Sequence, residues 1–126
     1  MLLYNAFMGI RLEKIDAGFS VCKITDINGV DFSRPFVFLS KTDEELSLVC
    51  ESSCVPKCAT DIEADWKAFR VAGTLDFSLI GIVAKLTKIL AAEGISVFVI
   101  STYNTDYILV KAYNFERALA VLGDTL

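Results

Sequence analysis

Two short stretches concentrate the groups that could hold a small polar molecule. Residues 101–106 read STYNTD, six hydroxyl, phenol, amide or carboxylate side chains between the apolar runs ISVFVI and YILV. A tight hairpin needs only two turn residues, commonly Asn-Gly or Asp-Gly. Six polar residues without a glycine exceed what reversing the chain requires. The second stretch, LDFSLIG at 75–81, leads into an apolar stripe of helical period. First-turn amides of a helix have no intrahelical partner and carry partial positive charge, so those of Leu79, Ile80 and Gly81 suit a carboxylate or phosphate. Gly81 lets a ligand approach the backbone. Asp76 or Asp106 would take an ammonium group, and Ser101, Thr102, Asn104 and Thr105 supply neutral donors and acceptors. Phe77, Tyr103 and Tyr107 would set the shape of the space. One end for an anion and one for a cation describe a free α-amino acid. Each residue also has a plainer reading: Ser78 and Asp76 as helix caps, Gly81 as a close-packing position, Asn104 and Asp106 as turn formers.

Composition narrows the alternatives. The chain has 126 residues, a net charge of −4 and 54% hydrophobic residues. Its mean hydropathy is +0.52. The longest apolar stretch, 79–100, is broken by Lys85, Lys88 and Glu93, so no membrane span is expected. The hydrophobic excess instead implies a face buried against a second subunit, a homodimer. An acidic chain without clustered Lys and Arg is a poor nucleic-acid binder. MLLYNAFMGIR lacks a basic n-region, so no signal peptide is read and a cytoplasmic location is expected. The absence of histidine removes the commonest general base and metal ligand. A Ser-His or Cys-His pair cannot be assembled, and no catalytic residues and no cofactor are assigned. Cys50, Cys54 and Cys58 are spaced four apart, with Cys22 far upstream. That spacing fits zinc knuckles poorly, so no metal is assigned; Cys22 and Cys50 read as buried thiols and Cys54 and Cys58 as loop thiols open to oxidation.

The elements that must position these groups follow from periodicity. FSVCKIT (19–25), FVFLS (36–40), LSLVC (46–50) and WKAFRVAG (66–73) read as strands, with a Cys- and Ser-rich loop at 51–60. Leu79, Ile82, Val83, Leu86, Ile89 and Leu90 form one helical stripe, with Ser78 as the expected N-cap and Gly94 as the terminator. ISVFVIS (95–101) and YILVK (107–111) make a hairpin, and NFERALAVL (114–122) a second helix. In a strand-helix-strand crossover the two strands run parallel, so the helix start and the end of the second strand reach one sheet edge. By analogy with open α/β sheets, ligands bind at such an edge. The first half echoes the second at an offset of 61 residues, from Ser40 to Ser101, which reads as an internal duplication whose first copy has lost most of its crossover helix.

The segment LDFSLIGIVAKLTKILAAEGISVFVISTYNTDYILVK resembles the ACT-domain family. It is most similar to short tandem-ACT proteins that carry a DFSLTG-like helix start followed by ISIFAISTYNTDYILV, relatives of the ACT repeats of aspartate kinases and of the animal cytosolic arginine sensor. The resemblance implies an α+β, ferredoxin-like βαββαβ unit, an antiparallel sheet with helices on one face. It also implies pairing with a second unit and small effectors, usually amino acids, at the interface. By position the ligand-contacting residues are Asp76, Phe77, Ser78, Leu79, Ile80 and Gly81, and Ser101, Thr102, Tyr103, Asn104, Thr105 and Asp106. Expected modules are a degenerate N-terminal copy, 1–60, and a C-terminal ACT domain, 61–126. Little chain follows the last helix for the usual fourth strand, so the first half or a partner must cover that sheet edge. The expected role is non-enzymatic: a regulatory amino-acid binder acting on a separate protein target, or alternatively a dimerisation module without a ligand.

Overall fold

The computed structural model describes residues 3–5, 11–72 and 81–123. The elements are β1 (Leu3–Asn5), β2 (Arg11–Ile24), β3 (Val37–Lys41), β4 (Leu46–Glu51), β5 (Ala59–Ala72), α1 (Ile82–Ala92), β6 (Phe98–Ser101), β7 (Asp106–Lys111) and α2 (Phe115–Gly123). The class is α+β, with antiparallel pairing and two α-helices. The chain divides into two compact units: unit 1 holds residues 1–16 and 67–126, and unit 2 holds residues 17–66. The 14-residue strands β2 and β5 each contribute to both.

In unit 1 the strand order is β2-β5-β7-β6, with β1 on the outer side of β2. The position beside β5 is thus filled by residues 11–16 of the same chain. An ion pair between Glu13 and Arg70 joins these two strands. Among the described residues thirteen buried ones form the core, including Leu12, Phe69, Val71, Ile108 and Val110 from the strands and Leu86, Leu90, Leu119 and Leu122 from the helices. Both helices thereby bury their apolar stripes in one cluster, as the i, i+4 spacing of Ile82, Leu86 and Leu90 requires.

The two ends of α1 differ in how far the sequence foretells them. At the C-terminus Gly94 adopts φ +72°, its amide donates to Ala91 O (3.0 Å), and the Ile95 amide donates to Leu90 O (2.9 Å). This is the paired pattern of a Schellman motif, with buried Ile95 as its apolar contact. At the N-terminus the expected Ser78 cap is corrected. Gly81 occupies the cap position at φ +79°, and its carbonyl accepts from the Lys85 amide (3.0 Å), so the helix proper starts at Ile82. The described first-turn amides are those that follow Gly81, while Leu79 and Ile80 lie outside the described residues.

In unit 2 the order is β3-β4-β2-β5. Its core is smaller: Cys22, Ile24, Leu48 and Cys50 are buried, and Val30, Val37, Leu39, Leu46, Val55, Cys58 and Ala59 pack around them half-buried. Among the described residues no α-helix lies in this unit; short 3-10 turns at Ile27–Gly29 and Ser52–Cys54 stand in the connections.

The hairpin registers correct the offset of 61. In β3–β4, Lys41 faces Leu46 and Phe38 faces Val49; in β6–β7, Ser101 faces Asp106 and Phe98 faces Leu109. The turns close through Thr42 N to Glu45 O (2.9 Å) and Thr102 N to Thr105 O (2.8 Å). Leu48-Val49-Cys50 and Ile108-Leu109-Val110 are the buried triplets. All three correspondences give 60 residues. A one-residue slip moves every side chain to the other face, so the register, not the Ser40–Ser101 match, fixes the equivalence. Strand limits shift too. β2 begins at Arg11 rather than Phe19, β5 at Ala59 rather than Trp66, and β6 at Phe98 rather than Ile95.

Candidate functional site

The STYNTD segment is a turn plus two strand ends. Ser101 closes β6 and Asp106 opens β7, and the two are opposed across the ladder. The Ser101 hydroxyl donates to Asp106 Oδ1 at 2.5 Å. Between them Thr102–Thr105 form a four-residue loop held by Thr102. Its amide and its Oγ1 both donate to Thr105 O (2.8 and 3.0 Å), and its Oγ1 accepts from the Thr105 amide (3.4 Å). Among the described non-glycine residues only Asp65 has positive φ, so this loop reverses the chain without any left-handed residue. That explains the absence of glycine: a threonine side chain supplies the closing bonds.

One further bond locates the turn. Thr105 Oγ1 donates to Val71 O at 2.6 Å. Val71 is the penultimate residue of β5, so the turn is fastened to the carboxyl end of the strand from which residues 73–80 depart. Thr105 and Asp106 are half-buried, whereas Ser101, Thr102 and Asn104 are exposed and Tyr103 is fully exposed. Gly81 is exposed, and a Cβ built there would meet nothing within 4 Å, which leaves its backbone open. Asp76, Phe77, Ser78, Leu79 and Ile80 lie outside the described residues.

Beside the turn, unit 1 carries a polar cluster of which the sequence had singled out Tyr107 alone, as a residue shaping the space. Arg70 is half-buried; its Nε donates to Glu13 Oε1 (2.6 Å) and its NH1 to the Tyr107 hydroxyl (3.1 Å). The guanidinium stands 5.9 Å from the Tyr107 ring centroid. Burial alone would lower the Arg70 pKa, but the bonds to Tyr107 and Glu13 hold it above the ordinary arginine value. The available signal was a single arginine within the apolar run WKAFRVA, because a charge inside a half-buried strand needs a partner.

All four cysteines lie in unit 2. Cys22 and Cys50 are buried and Cys54 and Cys58 half-buried, in line with the sequence reading. Burial pushes the Cys50 thiol up to about 12. Burial also raises Cys22, partly offset by its hydrogen bond with Cys50. Among the described residues no group of three Cys, Asp or Glu side chains is placed to hold a metal ion.

The β5-α1-β6-β7-α2 order, with β2 beside β5, defines an α+β unit of antiparallel strands and two helices. The ACT-domain sequence pattern matches residues 61–124, over half of the chain, and the chain belongs to the ACT-domain family. Among solved structures it is similar to a protein from Agobacterium tumefaciens, at 26% identity over 90% of this chain and 86% of that one, with a TM-score of 0.80. It is also similar to the allosteric aspartate kinase of Clostridium acetobutylicum, at 17% identity over 96% of this chain and 35% of that one (TM-score 0.64). The ligand-free regulatory subunit of Thermus thermophilus aspartate kinase matches at 13% identity over 94% of this chain and 97% of that one (TM-score 0.58). The last two likenesses show the fold alone. No curated protein matches the sequence. No described helix is long and apolar enough to cross a membrane.

Proposed function

We propose that this chain is a non-enzymatic regulatory protein that binds a free amino acid through its ACT domain and acts on a separate, cytoplasmic protein target. The observation that carries this reading is the Thr105–Val71 bond, which sets the polar turn at the end of β5, where the segment containing Asp76, Phe77 and Ser78 begins. Asp106 supports it. Its carboxylate is oriented by Ser101, and among the described residues no lysine or arginine pairs with it, so it is free to receive an ammonium group. Family membership and the aspartate kinase regulatory fold agree with amino acid regulation. In this reading the site comprises residues 76–81 and 101–106. The chain is a duplicated pair of modules, 1–60 and 61–126.

The test is a thermal-shift screen against the twenty free amino acids. A binder at a hundredfold excess over its Kd should stabilise the fold by about 2.7 kcal/mol. Asp106→Ala should remove that shift while leaving the unliganded melting temperature within a degree or two. A flat screen would sink the reading.

A second reading, a dimerisation module without a ligand, is favoured by one feature. The edge strand of unit 1, β6, leaves Phe98, Val99 and Ile100 half-buried, an apolar edge suited to a second copy. Sedimentation equilibrium separates the two: that reading predicts association indifferent to amino acids and to Asp106→Ala.

A further inference from the structure

In unit 1 the polar cluster around Arg70 stands back to back with the proposed site. Successive side chains of a strand point to opposite faces. Leu12, Phe69, Val71 and Ile108 belong to the core cluster that includes both helices. Glu13, Arg70 and Tyr107 each adjoin one of them in sequence, so all three project from the reverse face. Asp106 shares the face of Ile108, two residues on, and Ser101 meets it there across the ladder. Tyr107 thus points away from the space it was expected to shape. A molecule held at Asp106 lies on the side opposite Arg70.

The reverse-face residues form a row across three adjacent strands, Glu13 on β2, Arg70 on β5 and Tyr107 on β7. Arg70 is its centre, with Nε donating to Glu13 Oε1 (2.6 Å) and NH1 to the Tyr107 hydroxyl (3.1 Å). A half-buried ion pair adds little net stability, because desolvation offsets most of the attraction. What a guanidinium adds is direction, since its planar fork fixes two acceptors at once. Here the fork makes a second fastening of β7 to β5. Thr105 Oγ1 holds Val71 O, and Arg70, the residue before Val71, holds Tyr107. Asp106 lies between the two fastened residues, so its backbone cannot slide or twist without breaking a bond.

We infer that Arg70 is a positioning residue: acting through Tyr107 it braces Asp106 from the reverse face, and through Glu13 it couples the turn to residues 11–16. This rests on the amino acid reading above. Coupling of this kind is reciprocal, so a ligand that orders the turn also steadies residues 11–16.

The experiment titrates the full chain calorimetrically with each of the twenty free amino acids, then carries the tightest binder to the variants. Tyr107→Phe removes one oxygen and keeps the Arg70–Glu13 pair, so the unliganded melting temperature should hardly move. Its affinity should nevertheless fall about tenfold. Glu13→Gln combined with Arg70→Gln leaves no unpaired charge and should show the same fall. Adding Tyr107→Phe to that pair should cost nothing further, since all three changes cut one path. Amide exchange supplies a readout that a purely structural role would not move: the amino acid should slow exchange at residues 11–16 in wild type but not in Tyr107→Phe. Full-strength binding by Tyr107→Phe, additive losses, or exchange at 11–16 that ignores the amino acid in wild type overturns the inference while leaving amino acid binding in place. So does slowing that persists in Tyr107→Phe. Heat from none of the amino acids overturns the reading beneath it.

Discussion

Unit 1 and unit 2 build the same kind of hairpin, with equal registers and equal buried triplets, but cover it differently. Unit 1 lays two amphipathic helices over its strands and buries thirteen residues in one cluster. Unit 2 has only turns and loops to spend; its cluster of Cys22, Ile24, Leu48 and Cys50 is surrounded by side chains that stay half-wet, and Phe19 and Val49 are buried outside that cluster. The same ladder thus supports a fixed core in one place and a loosely enclosed, thiol-rich one in the other. The comparison teaches that the hairpin is the constant and the cover the variable. The polar turn lies in the unit whose cover is helical, and elements of regular structure hold the geometry of a binding constellation more closely than loops do.

The difference is open to measurement. Leu86→Ala in unit 1 should cost about 2–5 kcal/mol in denaturant unfolding, at the high end because Leu86 is 1% exposed among fully buried neighbours. Leu48→Ala in unit 2 is equally buried but should fall nearer the low end, since half-exposed neighbours can close on the space. Equal losses would break the contrast between the two cores. A smaller effect is expected at Gly94. Alanine must adopt φ near +72° there, at a cost of about 1–2 kcal/mol, with Tm falling and ligand affinity intact.

The smallest effect at neutral pH concerns the thiols. Cys50 titrates near 12 in the folded chain against 9.0 as its ordinary value. The folded state therefore holds its proton more tightly, and the stability this contributes is complete below pH 9 and is lost as pH rises towards 12. Urea unfolding across that window should show the decline, and Cys50→Ala should flatten it. At pH 8 iodoacetamide should modify Cys54 and Cys58 well before Cys22 and Cys50.

How much of this was legible depends on which physical signal marks each feature. Gly94 was readable because a glycine after an apolar stripe has one common use. Gly81 was not: Ser78 was the better cap by composition, and nothing local announces a left-handed cap residue. The first part of β2 escaped because Leu12 and Ile15, its buried residues, are three apart and mimic helical spacing. Residues 60–65 escaped because all are exposed, which leaves no alternation to detect. At the site, the polar character of residues 101–106 was plain, but its division into rung and turn needed the ladder. The Thr105–Val71 and Arg70–Tyr107 bonds join residues more than thirty positions apart, and no pattern within a single segment encodes them.

The discontinuity of unit 1 has a consequence for how the chain is born. Residues 1–16 are made before unit 2, yet belong with residues 67–126, which are made after it, whereas unit 2 is complete once residue 66 has emerged. Residues 11–16 must therefore wait for their β5 partner while the intervening fifty residues are made. Slowing synthesis after residue 66 prolongs that wait, and with it the time during which an incomplete sheet edge is exposed to other nascent chains.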